Sequence, residues 1–126
     1  MTTGNYQPFT PDAEWMRKKQ FWYRRYLADG VDYNDIVGTM AQIGHWEEWC
    51  ERWSATGRSH EERGEKAVRE GNTVTAGDAF LRASMCYHVA QLFFFSDLDQ
   101  KAAAQKQKEK SYRKGMSYFA PPAERV

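Results

Sequence analysis

An all-α fold of about five helices, set as an antiparallel bundle or a stack of hairpins, follows from three observations. Apolar and aromatic residues recur at three- and four-residue spacing along the chain, and no stretch alternates as a strand would. The helical runs end at glycine or at short polar residues that suit a helix terminus. The stretch from Lys101 to Lys110 is alanine, glutamine, lysine and glutamate, all strong helix formers.

The first helix is predicted from the Asp12 cap to Ala28, with Trp15, Trp22 and Tyr26 on one flank and Arg17, Lys18, Lys19, Arg24 and Arg25 on the rest. Asp29-Gly30 ends it. A second, shorter helix runs from Tyr33 to Ile43 after the Asp32 cap, with Ile36, Val37, Met40 and Ile43 as its apolar stripe, and Gly44 breaks it.

The third is the longest, from His45 to Glu70, with Gly71-Asn72 at its end. Trp46, Trp49, Cys50 and Trp53 form one aromatic face on it. Gly57 and Ser59 predict a kink or break between 56 and 60, and the charged run from Glu61 to Lys66 reads as a solvated face. Thr75 is the expected cap of the fourth helix, with Asp78 reaching back. Its stripe of Ala79, Ala83, Cys86, Tyr87, Ala90 and Phe94 is small on one flank and aromatic on the other, which predicts a central helix running to Phe95. Ser96-Asp97 breaks it. The fifth runs from Asp99 to Phe119, with Tyr112, Met116 and Phe119 in its second half.

Two prolines, Pro121-Pro122, then remove backbone donors and set an extended chain, so that Val126 reads as the first residue of a strand. The sequence is expected to be the front part of something larger.

A chain of 126 residues is expected to form one domain. A net charge of +1 implies no general pull toward nucleic acid or an anionic membrane, and neither is expected as a partner. Aromatic residues make up 15%, a fraction that points to a bulky core, an interface or an organic-ligand pocket. Cys50 and Cys86 share no metal spacing and are expected as reduced thiols. The N-terminal residues carry no basic and apolar signal pattern, and the longest apolar run, Leu92 to Phe95, is far short of the ~18 residues that would span a bilayer. A soluble cytoplasmic protein is expected.

Catalytic chemistry is missing from the sequence. Gly115-Met116-Ser117-Tyr118-Phe119 begins like a nucleophile elbow but has phenylalanine at the second glycine and no strand before it. His60-Glu61-Glu62-Arg63-Gly64 begins like a zinc-binding helix but supplies one ligand. His45, His60 and His88 are far apart, so no metal set is expected, and no phosphate loop or dinucleotide fingerprint appears. The polar residues Arg82, Tyr87, His88 and Gln91 lie among apolar ones on the central helix. They either bond to neighbouring helices and fix packing or line a pocket or domain contact.

Four segments in order carry a resemblance. They are Trp46-x-x-Trp49-x-x-x-Trp53; Gly71-Asn72-x-x-Thr75-Ala76-Gly77-Asp78-Ala79-Phe80-Leu81-Arg82-Ala83; Tyr87-His88-x-Ala90-Gln91; and Pro121-Pro122-Ala123-Glu124-Arg125-Val126. The stretch from Gly30 to Val126 resembles the N-terminal helical region of a group of α/β-hydrolases, that of 2,6-dihydroxypseudooxynicotine hydrolase and the esterases similar to the fermentation/respiration switch protein.

The resemblance implies that residues 1–120 form a helical cap and that 121–126 begin the link into a C-terminal α/β-hydrolase domain. That domain would be the partner, would cleave an ester, amide or carbon–carbon bond of a small organic substrate through a serine, and would need no metal or organic cofactor. No catalytic residue carries over. Trp46, Trp49, Trp53, Arg82, Tyr87, His88 and Gln91 become candidates for the substrate pocket or domain interface, with an aromatic face left open where the second domain would sit. The alternative is a freestanding helical interaction module, or a homodimer through the tryptophan face.

Overall fold

The computed structural model describes residues 30–119, and these are helical without a strand. The helices are α1 (Tyr33–Met40), α2 (Trp49–Arg69), α3 (Thr73–Gln91) and α4 (Leu98–Phe119), with a 3-10 turn at Trp46–Glu48 ahead of α2. The expected first helix and the Pro-Pro segment lie outside the described residues. The helix α3 packs along both α2 and α4, while α2 and α4 meet much less, so the predicted centrality of this helix holds.

The boundaries follow from local chemistry, and several differ from expectation. The helix α1 stops at Met40, short of Ile43, although Ile36, Met40 and Ile43 are all buried; Val37 faces out. Asp32 makes no side-chain cap bond and instead pairs with Arg82 at 3.4 Å.

No break occurs at 56–60: α2 is uninterrupted. Gly57 is buried beneath the Tyr87 ring, where an added Cβ would lie 3.0 Å from the ring carbon Cζ. Gly64 lies under Phe80 in the same way, at 2.8 Å. Both glycines let α3 approach closely, and packing gained there offsets their cost of about 1 kcal/mol in helix propensity.

At the end of α2, Gly71 takes φ +75, Asn72 N–H donates to Ala67 O at 2.9 Å and Gly71 N–H to Val68 O at 3.0 Å. This paired closure is a Schellman motif, whose left-handed position favours glycine. Asn72 rather than Thr75 caps α3, its Oδ1 accepting from Thr75 N–H at 3.3 Å, and Asp78 pairs forward with Arg82. The helix α3 ends at Gln91, before the expected Phe95. Phe93 adopts φ +60 in the turn, and Phe94 returns to the core. Asp97 opens α4 by accepting from Asp99 and Gln100 N–H.

The larger core cluster joins Val31, Ile36, Met40 and Ile43 to Trp49, Cys50 and Trp53 of α2, Cys86, Val89 and Ala90 of α3, then Phe94 and Ala104. A smaller one joins Ala67, Ala76 and Phe80. On α4 the buried residues are the small ones, Ala104, Ser111 and Gly115, whereas Tyr112 and Phe119 are exposed.

Candidate functional site

The tryptophan face is interior. Trp49 and Trp53 are both fully buried, with ring centroids 6.1 Å apart, and half-buried Trp46 stacks on Trp49 at 5.1 Å. The expectation of an open aromatic face therefore fails for Trp49 and Trp53, because both sit in one buried cluster with Cys86, Val89 and Ala90 of α3 and with Phe94, which itself packs on Trp46 at 5.7 Å. Trp49 Nε1–H also donates to Val89 O at 2.8 Å. That carbonyl lies in the last turn of α3 and has no partner within its helix, so the indole completes the helix end.

Gln91 acts at the same terminus. Its backbone and side-chain oxygens accept from Lys101 Nζ at 2.6 and 3.2 Å, drawing α4 onto the end of α3. Arg82 is held by Asp78 at 2.9 Å and by Asp32, which fastens the start of α1 to α3.

Tyr87 is buried, and its hydroxyl donates to Glu61 Oε1 at 2.7 Å. Ser111 Oγ of α4 donates to the other oxygen of the same carboxylate at 2.7 Å. Glu61 thus joins three helices and is no solvated charge, as the acidic run had suggested. Burial, reinforced by Glu61, pushes the Tyr87 phenol well above its ordinary pKa and keeps it protonated.

Tyr87 and His88, adjacent in sequence, point to different grooves. One of about 550 Å³ is lined by Glu51, Arg58, Glu61, Tyr87, Gln100 and Gln107. The other, of about 520 Å³, is lined by Ser84, Met85, His88, Lys108, Glu109 and Tyr112. Lys108 Nζ approaches His88 Nδ1 at 3.5 Å. The seven predicted residues thus split among core, helix end and two grooves, and do not converge on one site.

A cluster that sequence reasoning missed lies between α1, α2 and α3. His60 Nε2 is 2.9 and 2.8 Å from the two oxygens of Asp35, and Cys86 Sγ donates to Asp35 Oδ2 at 3.7 Å. Arg63 lies 2.6 Å from His60 Nδ1. A guanidinium has only donors, so Nδ1 accepts and the Nε2 hydrogen points to Asp35. Burial, followed by the neighbouring Asp35, raises the Cys86 pKa far above the ordinary thiol range. The thiol faces the carboxylate and stays protonated, so it is not an activated nucleophile. These residues are 51 positions apart at the extremes, and no local spacing announces them.

Ser117 Oγ donates to Lys114 O at 2.6 Å on the exposed side of α4. The rejected elbow is an ordinary helical serine.

Comparison with known proteins places this helical stretch beside a hydrolase. The chain is similar to 2,6-dihydropseudooxynicotine hydrolase of Paenarthrobacter nicotinovorans, 32% identical over 101 residues, which are 80% of this chain and 27% of the relative. The chain therefore spans about a quarter of the length of that curated relative. No family model matches, and no solved structure matches.

Proposed function

We propose that this chain is the N-terminal helical cap of an intracellular serine α/β-hydrolase, covering the active site and shaping the substrate pocket. The observation that carries the reading is the similarity to a hydrolase over 80% of this chain but 27% of that protein, in a stretch whose described residues are helical. The nucleophile, its base and the oxyanion donors would belong to an α/β-hydrolase domain C-terminal to residues 1–120. The cap would enclose a small organic substrate and exclude water, which strengthens the electrostatic interactions at the reacting centre.

The exposed apolar side chains favour a covering role. Phe93, Phe95 and Leu98 are exposed in the α3–α4 connection and the start of α4, Phe95 and Leu98 each at 66%, and Tyr118 and Phe119 are exposed at the far end of α4. Apolar groups at such positions are expected where a second surface covers them. Of the sequence candidates, His88 combines partial exposure with a groove. The homodimer through a tryptophan face is disfavoured by the burial of Trp49 and Trp53.

The test is fluorophosphonate labelling of the full gene product, followed by peptide mapping. The adduct is expected on a serine outside residues 1–126. Absence of any adduct, or an adduct on Ser117, would overturn the reading. In the same protein, His88→Ala is expected to alter KM for an organic ester while the burst amplitude with a reactive ester persists.

A further inference from the structure

We propose that Asp35, His60 and Cys86 form a binding site for a zinc-class divalent cation, one ligand from each of α1, α2 and α3, with a fourth position left to water. The ligand atoms of the three residues all lie within 4.8 Å of one another. Zinc held tetrahedrally with bonds of about 2.0–2.3 Å sets its ligand atoms about 3.3–3.5 Å apart. The Asp35–Cys86 separation of 3.7 Å is already close to that value, whereas the His60–Cys86 pair is the widest of the three, within 4.8 Å, and has to close by up to about 1.3 Å. The Asp35–His60 contact of 2.8 Å has to open by about half an ångström, since a hydrogen bond now draws it shorter than two ligands of one tetrahedral ion would sit. Both side chains are on helices and slightly open to solvent, at 13% and 12%, so an ion has a way in.

The donor set selects the metal. One sulfur, one imidazole nitrogen and one carboxylate oxygen suit zinc or cobalt, while magnesium and calcium prefer oxygen throughout. Charge also fits. A carboxylate and a thiolate balance a divalent cation, so the loaded site is neutral overall, which limits the cost of placing ions among buried side chains.

The Cys86 thiol proton leaves to solvent when the sulfur–metal bond forms. The hydrogen on His60 Nε2 is lost to solvent as that nitrogen takes the metal, and Nδ1 gains one, leaving a neutral imidazole. Arg63 stands against the second exchange, because its guanidinium is a donor 2.6 Å from Nδ1. Arg63 is exposed and has to swing away. It therefore acts as a gate, holding His60 in the tautomer that faces Asp35.

The experiment is a cobalt(II) titration of the full gene product, read by absorption. Wild type is expected to show a thiolate-to-cobalt charge-transfer band in the near ultraviolet, saturating at one equivalent. The band should vanish in Cys86→Ser and His60→Gln and persist in Cys50→Ser. Arg63→Ala should bind cobalt about tenfold more tightly, the loss of one competing charge-assisted hydrogen bond. Wild type carries the test by itself, so a misfolded Cys86→Ser does not decide it: no band in wild type overturns the site. A band unchanged in Cys86→Ser protein of native circular dichroism, or one lost in Cys50→Ser, also overturns it. Unchanged or weaker binding by Arg63→Ala overturns the gate. Cobalt binding does not depend on hydrolase activity, so failure here leaves the cap reading untouched and the reverse holds too.

Discussion

Single side chains here are decided by what covers them. Trp49 and Trp53 share the helical spacing expected of a docking face, yet α3 lies against them and both are fully buried. Trp49→Ala or Trp53→Ala is therefore expected to cost about 3–5 kcal/mol, the range for deleting a large buried ring. Near wild-type urea midpoints would contradict the core assignment. The glycines of α2 make the opposite error visible. Propensity alone says that Gly57→Ala and Gly64→Ala should stabilise the helix. A methyl group would meet the Tyr87 ring at 3.0 Å or the Phe80 ring at 2.8 Å, and Tyr87 is pinned by its bond to Glu61. Each substitution is expected to destabilise by about 1–3 kcal/mol, the usual cost of overpacking, and the thermal midpoint should fall.

Between elements, polar links join helices that apolar packing brings together. Thr39 bonds Thr56 at 2.7 Å between α1 and α2, and Lys114 meets Glu65 at 2.6 Å between α4 and α2. The central link is Glu61, accepting from Tyr87 on α3 and Ser111 on α4. Glu61→Ala strands two hydroxyls, and each lost partner is expected to cost about 1–3 kcal/mol. Tyr87→Phe should cost much less in the Glu61→Ala background than in wild type, because the bond it removes is already gone. Equal costs in both backgrounds, measured by urea unfolding, would show that the three residues do not act together. None of this was visible in the run Glu61 to Lys66, since a charged stretch looks solvated until another helix is laid across it.

At the scale of the whole molecule, the buried acids set a pH limit. Cys50, Cys86 and Tyr87 all have pKa values raised in the folded protein, chiefly by burial. Each therefore holds its proton more tightly folded than unfolded. Their contribution is fully present below the unfolded values, about 8.5 for cysteine and 10 for tyrosine, and is lost as pH rises above them. Each group that ionises only on unfolding removes about 1.4 kcal/mol per pH unit. The urea midpoint of the 126-residue chain is expected to show no fall from these groups between pH 6 and 8 and to drop from about pH 9 upward. A midpoint unchanged to pH 11 would exclude the buried thiols and phenol. No helix among the described residues is long and apolar enough to cross a membrane.

The sequence by itself determined the helical class, the glycine stop at Gly71, the span of α4 to within a residue and the central place of α3. These are local matters: hydrophobic spacing, capping and backbone freedom act within a few residues and leave a readable periodic trace. Only the tertiary structure decided that Trp49 and Trp53 are core, that Gly57 is a contact and no break, that Asn72 caps in place of Thr75, and that Asp35, His60 and Cys86 meet. Those outcomes depend on which helix face lies against which, and side chains 25 to 51 positions apart come together without any signal in their spacing.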